Sequence, residues 1–349
     1  MSATPQPAFH PVPQDEWLAR VNESIIEPDL VIIDPHHHLW NRPGWVYEGD
    51  ELTADVRCGH KVVGTVFLQC GVGYRDSGPV QLRPVGETEY VLSVAHGVAR
   101  RDPSVQVCQG IVGFADMTLG AEVDAVLEAQ IAAGDGRFRG IRHAVATVED
   151  DQAFVRQAGR PPAGLLGDSR FRAGIARLSK YQMSFDVWAY HPQMDELLLL
   201  AQAFPSLPIV IDHVGGPLGI GRWTGKRDEV FAQWRASMRR LAQCPNVYVK
   251  LGGLGMRSIG YFFHDREQPP RSAELAQAWQ PWIDECIASF GPARCMFESN
   301  FPVDRCSTNY TILWNAFKRM AAQYSADEKA DLFAGTAARF YRLEIGPSA

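Results

Sequence analysis

The sequence predicts an α/β fold, a (β/α)8 TIM barrel. Eight short β-rich runs recur along the chain with near-continuous apolar character, as parallel strands buried on both faces require. Helix-like segments with apolar residues three and four apart separate most of them, the alternation that builds a parallel sheet with crossover helices. Polar residues recur where these strands end, which is where a barrel of this kind carries chemistry.

The strands are read at Leu30–Asp34, Val62–Cys70, Val105–Ala115, Phe138–Ala144, Ser184–Tyr190, Pro208–His213, Asn246–Leu251 and Arg294–Ser299. The clearest helices are Ala121–Ala133, Met194–Phe204 and Val230–Gln243. An open doubly wound sheet is the alternative, but no G-x-G-x-x-G follows the first strand, which argues against a dinucleotide fold. Two connections are long, Asn41–His60 after the first strand and Gly255–Ser272 after the seventh. In a barrel both would lie over the C-terminal mouth. Residues 1–29 read as a loose N-terminal arm and residues 30–345 as a single barrel domain.

The 349 residues suffice for one large barrel, and 46% hydrophobic content supports a sizeable core. Net charge is −6 with no basic block, so no nucleic-acid partner is expected. Seven cysteines at irregular spacing, without a C-x-x-C pair, suit reduced thiols in the cytoplasm. The polar, proline-rich start does not read as a signal peptide, and no apolar stretch is long enough for a membrane span. The expected partner is a small-molecule substrate, and a homo-oligomer is compatible with the chain.

At the strand ends, the first run offers His36 and His38, which alternation points to one face, and His37, which it points to the other. Two imidazoles about 6–7 Å apart on one face can converge on a cation. The fourth ends in Arg142 and His143, the fifth is followed by His191, and the sixth gives Asp212 and His213. The seventh contributes Lys250, and the eighth Glu298 and Asn300. One strand-end histidine alone is ordinarily a satisfied polar group. Its recurrence on most of eight strands implies a polar mouth above an apolar core.

These marks resemble the amidohydrolase superfamily, in its lactonase-like and decarboxylase-like TIM-barrel branch, from Asp34 onward. They are the first-strand His36-x-His38, the sixth-strand "IDHVGGP" with His213, the seventh-strand "VYVKLGG", and the eighth-strand Ser299-Asn300-Phe301-Pro302. The resemblance implies a divalent metal, zinc being the expected ion, on His36, His38, His191 and an eighth-strand aspartate. That last slot holds Asn300, a departure. An amide takes no proton near neutrality and binds zinc more weakly. Either three histidines hold the metal and the base lies elsewhere, or the protein works without metal.

His213 is the expected general acid/base, since its imidazole is tunable near neutrality. Lys250 and Glu298 are expected to form a buried pair, and both count, with Asn300, among the catalytic candidates. Asp212 is expected to face away, Asp304 to be a solvated loop acid, and Glu87 to mark a helix start. Arg142, His143, Trp40 and Tyr47 are the substrate-binding candidates, by bidentate recognition of carboxylates and by ring stacking. The resulting expectation is a metal-dependent hydrolase of a lactone or related cyclic ester. The alternatives are a non-oxidative aromatic-acid decarboxylase, which Asn300 would damage less, and a binding protein that lost its base.

Overall fold

The structure, a computed structural model, describes residues 10–149 and 160–344, so residues 1–9 of the arm and position 345 lie outside it. The chain runs α1 (Asp15–Leu18), β1 (Val31–His37), β2 (Trp40–Arg42), β3 (Trp45–Tyr47), α2 (Gly49–Val56), β4 (Lys61–Leu68), α3 (Val85–Arg101) and β5 (Gly110–Gly113). It continues through α4 (Asp124–Ala133), β6 (Phe138–Arg142), α5 (Ser169–Leu178), β7 (Ser184–Val187), α6 (Met194–Ala203), β8 (Ile209–Ile211) and α7 (Arg227–Leu241). The last elements are β9 (Val247–Leu251), α8 (Ser272–Phe290), β10 (Cys295–Phe297), α9 (Tyr310–Met320), α10 (Ala326–Ala330) and α11 (Thr336–Tyr341).

Eight strands form one parallel sheet in the order β1-β4-β5-β6-β7-β8-β9-β10. The ring is closed by a parallel bridge between His37 and Phe301, with His38 N donating to Phe301 O at 2.7 Å and Asn300 N to His36 O at 2.9 Å. The eight expected strands are these eight, in this order. The third is shorter than expected because Cys108 adopts φ +51 and gives its N–H to the Thr65 hydroxyl, ending the extended run before Gly110. The long connection after β1 is not a bare loop. It folds into the β2–β3 hairpin and α2, whose start is a capping box between Glu48 and Glu51.

Two cores follow from strand alternation. Ile32, Ile209 and Ile211 face outward into the main core under the helices. Ile33, Val66, Val112, Val210 and Met296 face the barrel interior, where Ala337, Phe340 and Tyr341 of α11 pack against them. α11 thus plugs the end of the barrel opposite the mouth.

The described part of the arm, residues 10–29, packs on the barrel. Trp17 and Leu18 are buried, the Trp17 indole donates to Arg266 O at 2.9 Å, and Asp15 pairs with Arg305 at 2.7 Å. Its short helix places these apolar side chains across the loops that follow β9 and β10. Among the described residues, no helix is long and apolar enough to cross a membrane.

Candidate active site

A register shift in β1, three steps from Asp34 to His37 against two from Thr65 to Phe67, sets the first group. His36 Nε2 and His38 Nε2 meet at 3.3 Å. His38 Nδ1 donates to Leu68 O at 2.8 Å, which leaves its Nε2 bare. His36 is fully buried, with Glu298 Oε2 2.7 Å from its Nδ1 and Arg142 Nη1 3.3 Å from its Nε2. Lys250 Nζ also approaches that Nδ1, at 3.2 Å, and a neutral imidazole cannot accept at both nitrogens. Glu298 Oε2 receives no hydrogen bond among the described residues, whereas Lys250 Nζ is in hydrogen-bonding geometry with Nδ1, so the proton sits on Nε2 and faces the bare Nε2 of His38. Burial, with Lys250 next, lowers the His36 pKa to about 4, so the ring is neutral near pH 7. His37 lies on the other side, 2.9 Å from the Thr65 hydroxyl.

The sixth barrel strand, β8, supplies two residues, not one. Extended backbone stops at Asp212, and His213 and Val214 adopt φ +55 and +47. Alternation fails at the first left-handed residue, so Asp212 and His213 both reach the site. This corrects the expectation that Asp212 faces away. His213 Nδ1 donates to Glu298 Oε1 at 2.7 Å, and His213 N donates to the same oxygen at 3.0 Å. The His213 Nε2 is left bare at the mouth. Burial holds the His213 pKa down to about 3. Gly253, at φ +69, packs against this ring, and a Cβ there would fall 2.5 Å from it.

Asp212 is fully buried, and neither of its oxygens receives a hydrogen bond among the described residues. Lys250 Nζ at 3.0 Å, His36 Nδ1 at 3.5 Å and Arg142 Nη1 at 3.5 Å surround it off the hydrogen-bonding line. Burial alone would raise its pKa, but Lys250 and His36 outweigh burial and hold it well below the usual carboxylate range. Lys250 donates to Asp186 Oδ2 at 2.9 Å, and the Tyr341 hydroxyl donates to the same oxygen. The expected Lys250–Glu298 pair is therefore a wider arrangement. Lys250 binds Asp186, Glu298 binds His213, and both press on His36 from the Nδ1 side. Asp186 escaped the sequence reading because it lies inside the fifth strand, where its one signal is an acid in an otherwise apolar run.

Asn300 sits at φ +54, and its amide donates to Asp304 Oδ1 at 2.9 Å. Asp304 is no solvated loop acid. It is buried, Gly255 N donates to its Oδ2 at 2.9 Å, and burial raises its pKa to about 8.

Three expected site residues lie elsewhere. His191 comes four residues after the end of β7, beyond the reach of strand alternation, and the Gly216–Leu218 loop captures it. Leu218 N donates to its Nδ1 at 3.2 Å and Trp223 stands edge-on at 5.6 Å. The His191 Nε2 is buried without a hydrogen-bond partner among the described residues, and the ring lies outside the group of ligand atoms that His36 forms with His213 and Glu298. Tyr47 is fully buried and its hydroxyl donates to Asp55 at 2.8 Å, because the hairpin pleat turns it onto α2. His143 follows Arg142 on the strand and therefore points to the opposite face, between Phe114 and Phe171. Trp40 is buried too, but it stacks on His38 at 5.9 Å and so backs the histidine pair.

The donor set fits a divalent cation. His36 Nε2 and His38 Nε2 lie 3.3 Å apart with one proton between them, so loss of that proton lets both face a cation, and Asp212 holds two unbonded oxygens nearby. Among the described residues, His36, His213 and Glu298 also bring ligand atoms within 4.8 Å of one another. His213 and Glu298, however, already use those atoms on each other. His36 and His38, with Asp212, are the better holders.

The amidohydrolase family profile matches residues 33–343. A protein of Sinorhizobium fredii, y4mH, is 31% identical over 346 residues, covering 90% of this chain and 99% of its own. An L-fucono-1,5-lactonase of Burkholderia multivorans is 29% identical over 258 residues, covering 74% of this chain and 77% of its own. A crystal structure of a Burkholderia multivorans amidohydrolase with bound zinc superposes with a TM-score of 0.66 at 24% identity, covering 90% of this chain and all of that one. With a profile match spanning the barrel from its first strand to its last helix, the chain belongs to the amidohydrolase family.

Proposed function

We propose that the protein is a lactonase, opening the ring ester of a small lactone with water. The observation that carries this is the His213–Glu298 pair, a neutral imidazole whose Nδ1 is held by a buried carboxylate and whose Nε2 is bare at the mouth. Similarity to an L-fucono-1,5-lactonase supports the substrate class.

Burial makes the resting His213 ring a weak base, so its Nε2 takes a proton from water, as the water oxygen attacks the lactone carbonyl, only because Glu298 Oε1 at 2.7 Å offsets the charge that forms. The tetrahedral adduct places its oxyanion within reach of the Arg142 guanidinium, whose buried Nε has no partner among the described residues. When the ring C–O bond breaks, His213 returns the proton to the leaving alkoxide, and the product is a hydroxy acid. Glu298 keeps the Nδ1 proton in place throughout and steadies the imidazolium. Asn300 takes no proton in this scheme, which answers the loss of an aspartate there. A divalent metal on His36 Nε2 and His38 Nε2, zinc being the expected ion, would supply Lewis acidity toward the carbonyl. All seven cysteines are free, which suits a cytoplasmic site of action.

The test is a panel of sugar-1,5-lactones and pyrone-type lactones followed by proton release, beside hydroxybenzoates followed by CO2 release. Lactone turnover is expected, with His213→Gln lowering kcat about 10²–10⁴-fold. CO2 release without ring opening, or full activity in His213→Gln, would overturn the reading.

A further inference from the structure

Glu87 lies in the first turn of α3, in a sequence context that reads as an ordinary helix start. It is instead fully buried. Its Oε1 accepts three consecutive backbone N–H groups, from Cys70 at 2.9 Å, Gly71 at 2.6 Å and Val72 at 3.0 Å. One carboxylate oxygen therefore clamps the segment that leaves β4 for the mouth. A helix needs no such acid, and burying it is costly unless the bonds it makes are needed.

The clamped segment shows what they are needed for. Leu68 O receives the Nδ1–H of His38, and Gln69 O receives an N–H of the Arg142 guanidinium. The Cys70 thiol donates to Leu39 O at 3.3 Å, tying the same segment to the residue after His38. Two successive carbonyls thus aim the two side chains that face His36 Nε2. Leu68 O shares its peptide plane with Gln69 N–H, which donates to Val112 O of β5 at 2.9 Å, whereas Gln69 O shares its plane with Cys70 N–H, which Glu87 holds. Leu68 ends β4, and Gln69 follows it.

We infer that Glu87 is a positioning residue. By holding the Cys70–Val72 amides it fixes the Gln69 carbonyl and with it the place of Arg142, and it anchors the end of the segment whose Leu68 carbonyl, also held by the ladder to β5, takes the Nδ1–H of His38. It touches neither substrate nor metal. The inference rests on His38 and Arg142 belonging to the site, but its first readout needs no turnover. Outer partners of this kind are worth about 10–100-fold in metal affinity or activity.

The experiment uses the full chain labelled with 15N-histidine, stripped of metal by chelator, in long-range 1H–15N correlation spectra. Wild type is expected to show His38, assigned by His38→Gln, as the Nδ1–H tautomer. Glu87→Gln, which still offers an oxygen to the three amides, should keep that pattern. Glu87→Ala, and Glu87→Asp with its shorter reach, should shift it to a mixture of tautomers and weaken zinc binding about 10–100-fold. Thr88→Val is the control for damage to α3, since it removes the buried Thr88–Gln130 contact next to Glu87 but not the clamp. It should leave the His38 pattern and the zinc affinity unchanged. A folded Glu87→Ala or Glu87→Asp protein with the wild-type pattern overturns the proposal, as does Thr88→Val shifting it equally. A lactone panel without turnover, beside a shifted pattern, would refute the lactonase reading and leave the positioning role standing.

Discussion

Asn300 and Asp304 show how one residue changes the demands on its neighbour. The asparagine gives its amide proton to Asp304, which lies buried with no cation in hydrogen-bonding contact among the described residues. Burial lifts the Asp304 carboxyl from 3.8 to about 8. The folded chain then keeps a proton that the unfolded chain gives up above its ordinary pKa. The unfolded state binds fewer protons across that window, so stability falls as pH rises from about 4 to about 8 and levels off beyond. The slope from this one group approaches about 1.4 kcal/mol per pH unit. Urea denaturation of wild type and Asp304→Asn at pH 5 and pH 7.5 checks it. The wild type should lose more stability between the two, and parallel curves would remove Asp304 as the cause.

At the scale of elements, the site is made by turns that interrupt strands. β8 yields to two left-handed residues, and this lets Asp212 and His213 face inward together. The turn after β9 answers with Gly253, whose missing Cβ makes room for the His213 ring. Gly253→Ala adds an atom 2.5 Å from that ring at a backbone angle that disfavours any side chain. Overpacking of this kind costs about 1–3 kcal/mol. The His213 ring should leave Glu298, with a loss of stability in denaturant and a changed His213 ring signal by NMR. Full stability with an unmoved signal would show that the turn yields instead.

Across the whole molecule, a column of buried polar groups runs from the plug to the mouth. Tyr341 of α11 reaches Asp186, Asp186 binds Lys250, and Lys250 stands against Asp212 and His36. Removing one partner from such a network leaves buried charge uncompensated, at a cost of about 3–5 kcal/mol. Lys250→Met should therefore destabilise strongly, and adding Asp186→Asn should restore part of the loss, a coupling that a double-mutant cycle in urea measures. Additive losses would mean the two groups do not act together. The sequence by itself determined the barrel, because periods of two and of about 3.6 residues are local properties and eight alternations admit few topologies. It also determined that His36 and His38 share a face, since they are two residues apart on one strand. Only the tertiary structure decided the rest. Strand alternation stops being a guide at the first left-handed residue, so Asp212 turned in and His191, four residues past its strand, turned to another loop. Asp186, Glu87 and Asp304 owe their roles to partners far away in the chain, and burial of a charge becomes legible only when those partners are in place.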